Sequence, residues 1–289
     1  MQKTLFSGAC TALVTPFING EVNYPMMEQL LRRQMDAGIP AVVIAGTTGE
    51  ASTLTDDEKL ELFRRCKRYA GDYCKIIAGT GSNSTRHAVA LSKTAEETGV
   101  DGLLIVSPYY NKANNDGLLA HYQTIAQSVD IPIIVYNVPS RTGLDIPVSV
   151  YRQISHISNI VGVKEASNDV RKITQIKREC TANFSIWTGY DDMTVPAISL
   201  GAEGVISVLA NVCPVETAAM ACAALDGDFD TAAALQCELQ PLIELLFSEV
   251  NPIPVKAAMA CIGYDCGDCR LPLSTLSSPK MERLKSFFA

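Results

Sequence analysis

Positive charge is in short supply. The 289 residues carry 24 Lys and Arg against 31 Asp and Glu, a formal net charge of −7. Displacing phosphate counterions needs a basic face, so this balance argues against general nucleic-acid binding. Long apolar runs are also missing, and none approaches the roughly 18 residues of a membrane span. Histidine is scarce: His87, His121 and His156 are the only three. All three fall on stretches with helical periodicity, and none shows metal-ligand spacing. HExxH and GxSxG are absent, which argues against a metal hydrolase and a serine hydrolase. The N-terminal stretch has Lys3 as its one cation, and Ser7, Gly8 and Thr11 interrupt its apolar residues. It reads as a first strand after a short tail, not as a signal peptide. The expectation is a cytoplasmic protein whose ten cysteines are reduced.

What is present is an ordinary globular composition, 47% hydrophobic and 19% charged. Eight short apolar runs, rich in Val and Ile, recur at 9–15, 41–45, 75–78, 102–106, 133–136, 160–164, 184–188 and 204–208. They are apolar on both faces, as strands of a parallel sheet covered by helices must be. Helical signals lie between them. Thr55-Asp-Asp-Glu58 is a capping box, Asn23 with Pro25 reads as a helix start, and Gly38 and Gly99 read as stops. Eight strand–helix units predict an α/β fold of the (β/α)8 TIM-barrel type. The rival is a doubly wound open sheet. Its dinucleotide fingerprint has one candidate, Gly79-Thr-Gly81-Ser-Asn-Ser84, which lacks the third glycine. The barrel unit is expected over 1–226. Residues 227–289 read as a C-terminal helical extension with helices at 229–247, 255–262 and 279–288.

In such a barrel the active site lies at the C-terminal ends of the strands. Lys164 directly follows the run 160–163, so it should point into the barrel above Gly162. Burial disfavours an ammonium and favours the neutral amine, a nucleophile toward carbonyl carbon that can form a Schiff base. The alternative is a surface lysine beside Glu165. Tyr136 ends the fifth run and should reach the same mouth, where a phenol oriented by other hydroxyls can move protons. Thr47 and Tyr110 could supply those hydroxyls. Arg141 has the planar fork that suits a carboxylate. Thr48, with Thr47, could present a hydroxyl and backbone amides to a second one. Each of these residues, taken alone, also fits an ordinary loop, turn or packing role.

Gly46-Thr-Thr-Gly-Glu50, Ser107-Pro-Tyr-Tyr-Asn111, Tyr136-Asn-Val-Pro-Ser-Arg-Thr-Gly143, Val163-Lys-Glu-Ala166 and Asn251-Pro-Ile-Pro-Val-Lys256 together resemble the dihydrodipicolinate synthase family, from about Gly8 to about Leu273. The resemblance implies a class I aldolase-type lyase of the diaminopimelate and lysine route. Such an enzyme condenses pyruvate with aspartate 4-semialdehyde and uses no metal or organic cofactor. It further implies Lys164 as the Schiff-base lysine and Tyr136 as the proton carrier, with Thr47 and Tyr110 as its relay. Thr48 would hold the pyruvate carboxylate and Arg141 the semialdehyde carboxylate, with Gly189 and the Ile206 backbone beside the substrate. In the family the position of Tyr110 acts across a dimer interface, and the usual assembly is a homotetramer. Sister lyases, such as N-acetylneuraminate lyase and 2-keto-3-deoxy sugar-acid aldolases, share the barrel and the lysine but usually lack the arginine. The feedback site of lysine-inhibited members corresponds here to Ala51, Ser52, Asp56, Lys59, Asn83, His87 and Tyr109. There the chain departs from the pattern. His87 stands where a glutamate is usual, and Asp56 and Lys59 stand where histidines are. Weak or absent inhibition by L-lysine is the expectation.

A reading of another class starts from Cys266-Gly-Asp-Cys269, with Cys261 nearby. A CxxC pair can bind metal or switch redox state, which would make the barrel a thiol- or metal-regulated protein. There is no second CxxC and no neighbouring histidine. The other cysteines sit among apolar residues, where a thiol packs as a small hydrophobe.

Overall fold

Eight parallel strands close on themselves in a computed structural model that describes residues 4–289. Lys3 lies outside the described residues. The strands are β1 (Gly8–Ala12), β2 (Ala41–Ile44), β3 (Lys75–Gly79), β4 (Gly102–Val106), β5 (Ile133–Asn137), β6 (Ile160–Glu165), β7 (Ser185–Thr188) and β8 (Gly204–Ser207). Each pairs with its sequence neighbours, and β1 pairs with both β2 and β8. The result is a (β/α)8 TIM barrel, and the open-sheet rival is removed.

The first strand is shorter than the 9–15 run. The Leu13 amide still reaches the Val43 carbonyl of β2 at 3.0 Å, but Val14 and Thr15 leave the ladder because other groups hold them. The Val14 amide donates to Asn211 Oδ1 at 3.0 Å, and Thr15 Oγ1 donates to the Gly49 carbonyl at 2.7 Å. Beyond them a two-stranded ribbon pairs Phe17–Ile18 with Glu21–Val22, which the apolar pattern did not reveal.

Alternate strand residues serve two cores. One set, including Cys10, Val43, Ile77, Leu104, Ile134, Trp187 and Ile206, fills the barrel interior. Phe6 stacks on Trp187 there with ring centroids 4.8 Å apart. The other set packs outward against the helices, for example Ile76, Ile105, Val135, Val163 and Val205. Gly162 takes an inward position because it must: a Cβ would lie 2.2 Å from the Ser185 carbonyl oxygen and 2.9 Å from the Trp187 ring.

The helix signals correspond to real caps. Asn23 Oδ1 accepts from the Met26 amide at the start of Tyr24–Asp36, and Gly38 follows its end at φ 75°. Thr55 and Glu58 form the reciprocal capping box of Asp56–Ala70. His156 is the exception among the histidines: it lies in the turn after the helix Val148–Ile154, not on the helix. After Pro214–Leu225 come three further helices, Phe229–Leu246, Ile253–Cys261 and Ser278–Phe288. The middle one begins earlier than its apolar run, with Pro252 at its N-cap and Pro254 in its first turn. Among the described residues, no helix is long and apolar enough to cross a membrane.

Candidate active site

Tyr136 and Lys164 sit side by side because β5 and β6 pair them in register. Both side chains point into the barrel at its C-terminal end. Lys164 is 5% exposed, and its Nζ lies 4.6 Å from the centroid of the Tyr136 ring. Lys59, Lys164, Lys172 and Lys256 are the buried lysines among the described residues. Lys59 pairs with Asp56, Lys172 with Asp145 and Glu165, and Lys256 with Glu50. Lys164 alone has no ion pair, so its amine is not engaged by a carboxylate. Gly189, just beyond β7, makes room for it: a Cβ there would lie 2.9 Å from Lys164 Cε.

Glu165 does not join Lys164. The strand alternation turns it outward into a buried polar brace. Its Oε2 accepts from Tyr151 Oη at 3.0 Å, and its Oε1 accepts from Asn137 Nδ2 at 2.8 Å and from the Ser167 amide at 2.9 Å. Asn137 Nδ2 also donates to Asp145 at 2.7 Å, and Lys172 binds Asp145. Burial, with Glu165 alongside, pushes the Tyr151 phenol well up, so it stays a donor. This brace ties the ends of β5 and β6 together from the helix side while their inward residues face the mouth.

A cavity of about 680 Å³ opens at the strand ends. Tyr136, Thr47, Arg141, Val138 and Asn251 line it, as do Ser52, Asp56, Lys59, His87 and Tyr109. Lys164 does not line it; Tyr136 borders the cavity and touches Lys164. Thr48 is buried beside Asn251, whose Nδ2 donates to Thr48 Oγ1 at 2.9 Å. Arg141 lies on the short helix Pro139–Thr142, and its Nη2 donates to the Asn251 carbonyl at 3.0 Å. Ile206 is buried inside the barrel on β8. Behind it, buried Asp191 accepts from the Val208 and Leu209 amides at 3.0 and 3.1 Å, fixing the turn out of β8. Burial raises the Asp191 carboxyl.

One predicted residue is not brought to this mouth. Tyr110 is 92% exposed, at φ 69°. Ala45 and Glu50 share its left-handed backbone, at φ 53° and 56°. Non-glycine residues cost of order 1 kcal/mol or more there, and such positions gather at functional sites.

Several of the residues that the resemblance assigns to a feedback site lie close together. Asp56 Oδ2 lies 2.7 Å from His87 Nε2, Asp56 Oδ1 lies 3.3 Å from Lys59 Nζ, and His87 Nδ1 lies 3.1 Å from Ser82 Oγ. Ala51 and Tyr109 line the same cavity wall, while the Asn83 carbonyl accepts from Asn111 at 3.0 Å.

The C-terminal helices contribute more than the sequence suggested. Glu50 is buried and receives Lys256 Nζ at 2.7 Å and the Arg270 amide at 2.9 Å. Arg270 also forks onto Glu58 at 2.5 and 2.8 Å. Cys266 and Cys269 lie in this region. Burial pushes both thiols up to about 12, which disfavours the thiolate that a redox switch or metal ligand requires. Among the described residues, no group of three or more His, Cys, Asp or Glu is placed to hold a metal ion.

A buried, unpaired lysine against a tyrosine at the mouth of a (β/α)8 barrel is the construction of class I aldolase-type lyases, and this chain is an enzyme of that class. It belongs to the Dihydrodipicolinate synthetase family, whose sequence pattern matches residues 5–288. It is 44% identical over 285 residues to the 4-hydroxy-tetrahydrodipicolinate synthase of Acetivibrio thermocellus, covering 99% of this chain and 97% of that one. The crystal structure of dihydrodipicolinate synthase from Aquifex aeolicus superposes with a TM-score of 0.96 at 42% identity, over 98% and 97% of the two chains. That of the Cyanidioschyzon merolae enzyme with lysine bound superposes at 0.95 and 39% identity, over 98% and 97%.

Proposed function

We propose that the protein is a 4-hydroxy-tetrahydrodipicolinate synthase of diaminopimelate and lysine biosynthesis, acting in the cytoplasm on pyruvate and L-aspartate 4-semialdehyde. The observation that carries the reading is Lys164, buried without an ion pair and 4.6 Å from the Tyr136 ring. Lys164 Nζ adds to the pyruvate ketone, and loss of water from the carbinolamine leaves an imine. Loss of a methyl proton gives the enamine, whose carbon attacks the aldehyde of the second substrate. The substrate amine then closes on the imine carbon and displaces Lys164, so the enzyme is regenerated. Tyr136 carries protons in these steps, with the Thr47 hydroxyl at the same cavity wall. Thr48 receives the pyruvate carboxylate and Arg141 that of the semialdehyde, with Gly189 and the Ile206 backbone beside the bound pyruvate. Borohydride reduction with pyruvate, followed by peptide mass mapping, should place a pyruvyl adduct on Lys164. An adduct elsewhere, or none, would overturn the reading.

Residues 1–226 act as the catalytic barrel and 227–289 as a helical extension that supports its mouth. The exposure of Tyr110 supports a relay completed from a second copy, within a homotetramer built as a dimer of dimers.

Arg141→Ala should lower kcat/KM for aspartate semialdehyde by about a hundredfold while leaving pyruvate trapping nearly intact. Steady-state kinetics against both substrates checks it, and equal losses for both would remove the role given to Arg141. L-Lysine should inhibit weakly or not at all. The carboxylate of Asp56 is already engaged by His87 and Lys59, and a cationic Lys59 faces the space an ammonium would need. A turnover assay at about 1 mM L-lysine should lose little rate; half-inhibition in the micromolar range would contradict the assignment.

A further inference from the structure

Asn251 lies in the connection between the helices Phe229–Leu246 and Ile253–Cys261, far along the chain from any barrel strand. Its side chain is nevertheless at the mouth and 7% exposed. It touches both groups assigned above to the substrate carboxylates. The two contacts differ in kind. Arg141 donates to the Asn251 main-chain carbonyl at 3.0 Å, a bond that any residue at this position keeps. Thr48 Oγ1 accepts from the side-chain Nδ2 at 2.9 Å, a bond that needs an amide donor. The other end of the amide, Oδ1, is buried without a partner.

Because an amide NH2 can only donate, the contact through Nδ2 fixes which way the amide serves its neighbour. A hydroxyl has one proton and two lone pairs. With one lone pair taken by Asn251, Thr48 keeps its proton for something else. A carboxylate only accepts, so a threonine that binds one must present its proton and not a lone pair.

We propose that Asn251 is a positioning residue that sets the polarity of Thr48, holding its hydroxyl as a donor toward the pyruvate carboxylate. The proposal rests on the assignment of Thr48 to that carboxylate. An aspartate at 251 would have nearly the same shape and the opposite effect. It would accept the Thr48 proton and set a negative charge beside the incoming carboxylate. Alanine would only release the hydroxyl to rotate.

The test compares Asn251→Asp and Asn251→Ala with the wild-type enzyme, measuring kcat and the KM for each substrate. Melting temperatures and borohydride trapping with pyruvate are followed in parallel. N251D should raise the pyruvate KM by about tenfold or more, with N251A between it and wild type. The semialdehyde KM and kcat should move less, because the Arg141 contact is main-chain. Two results overturn the proposal: equal rises in both KM values, or an N251A enzyme whose pyruvate KM is unchanged or lower. If N251D fails to fold, N251A alone decides. Wild-type enzyme that forms no pyruvyl adduct on Lys164 would remove the parent reading instead. A normal wild-type adduct with a flat pyruvate KM across the variants would remove only the role of Asn251.

Discussion

Lys164→Ala should abolish the borohydride-trapped pyruvyl adduct and lower turnover by at least about four orders of magnitude. Among the described residues lining the mouth, none offers an equivalent amine. Lys59 borders the same cavity but is tied to Asp56, and Lys172 and Lys256 are committed to buried carboxylates. Lys164→Arg should fail as completely, although it keeps the positive charge, because a guanidinium is always protonated and does not add to a ketone. The alanine variant should fold. Removing a buried lysine that has no ion pair leaves no orphaned carboxylate behind. Its melting temperature should therefore stay within a few degrees of wild type or rise. Activity above about 1% of wild type would mean that another nucleophile carries the reaction.

Lys256→Ala should produce the largest loss of stability among single polar substitutions, about 3–5 kcal/mol. Glu50 and Lys256 are both nearly inaccessible, and their 2.7 Å contact lies inside the structure. Deleting the cation strands the Glu50 carboxylate, which keeps the Arg270 amide and the Cys269 thiol as neutral partners. Lys256 also packs over the Phe17 ring at 4.2 Å and donates to the Asp268 carbonyl at 3.2 Å, so its stem and its charge are lost together. In a protein of this size the cost corresponds to a fall in Tm of about 5–10 °C. Replacing both partners, as Glu50→Gln with Lys256→Met, should recover much of it, since an uncharged pair leaves no unpaired ion. Thermal unfolding of the three proteins decides. If the double variant is no more stable than Lys256→Ala, the loss comes from the packing of Lys256 and not from the stranded charge.

The barrel was readable because each of its strands is a short apolar run, and parallel strands buried on both faces must look that way. Lys164 and Tyr136 were readable for a related reason. A polar residue at the end of such a run has one place to go, and register puts these two together. The contributions of Asn251 and Lys256 were not readable. Both stand in a segment with helical periodicity and no strand, where an asparagine before proline reads as a turn and a lysine as a solvated side chain. Their partners, Thr48 and Glu50, lie some two hundred residues away in sequence, and no local pattern reports a contact of that span. Tyr110 is a different case. Its hydroxyl was expected to support Tyr136, and within one protomer the residue is exposed. Only the family resemblance gave a reason for that exposure. The Cys266–Cys269 pair looked reactive by spacing alone, but spacing carries no information about burial, and burial raises both thiols.

The bonds from Asn251, Lys256 and Arg270 to the loop after β2 also impose an order on how the enzyme comes into being. A ribosome builds the chain from β1 onward. When Pro214–Leu225 has emerged, every strand exists, and so do Lys164, Tyr136, Thr48 and Arg141. The later segment that tethers Thr48, Glu50 and Arg141 does not yet exist. A nascent barrel can therefore pair Lys164 with Tyr136 while the loop carrying Glu50 is held from the barrel side, as by Thr15 Oγ1 on the Gly49 carbonyl, and lacks its later ties. The ties of Asn251, Lys256 and Arg270 to that loop can form only once the segment after the eighth strand has been made.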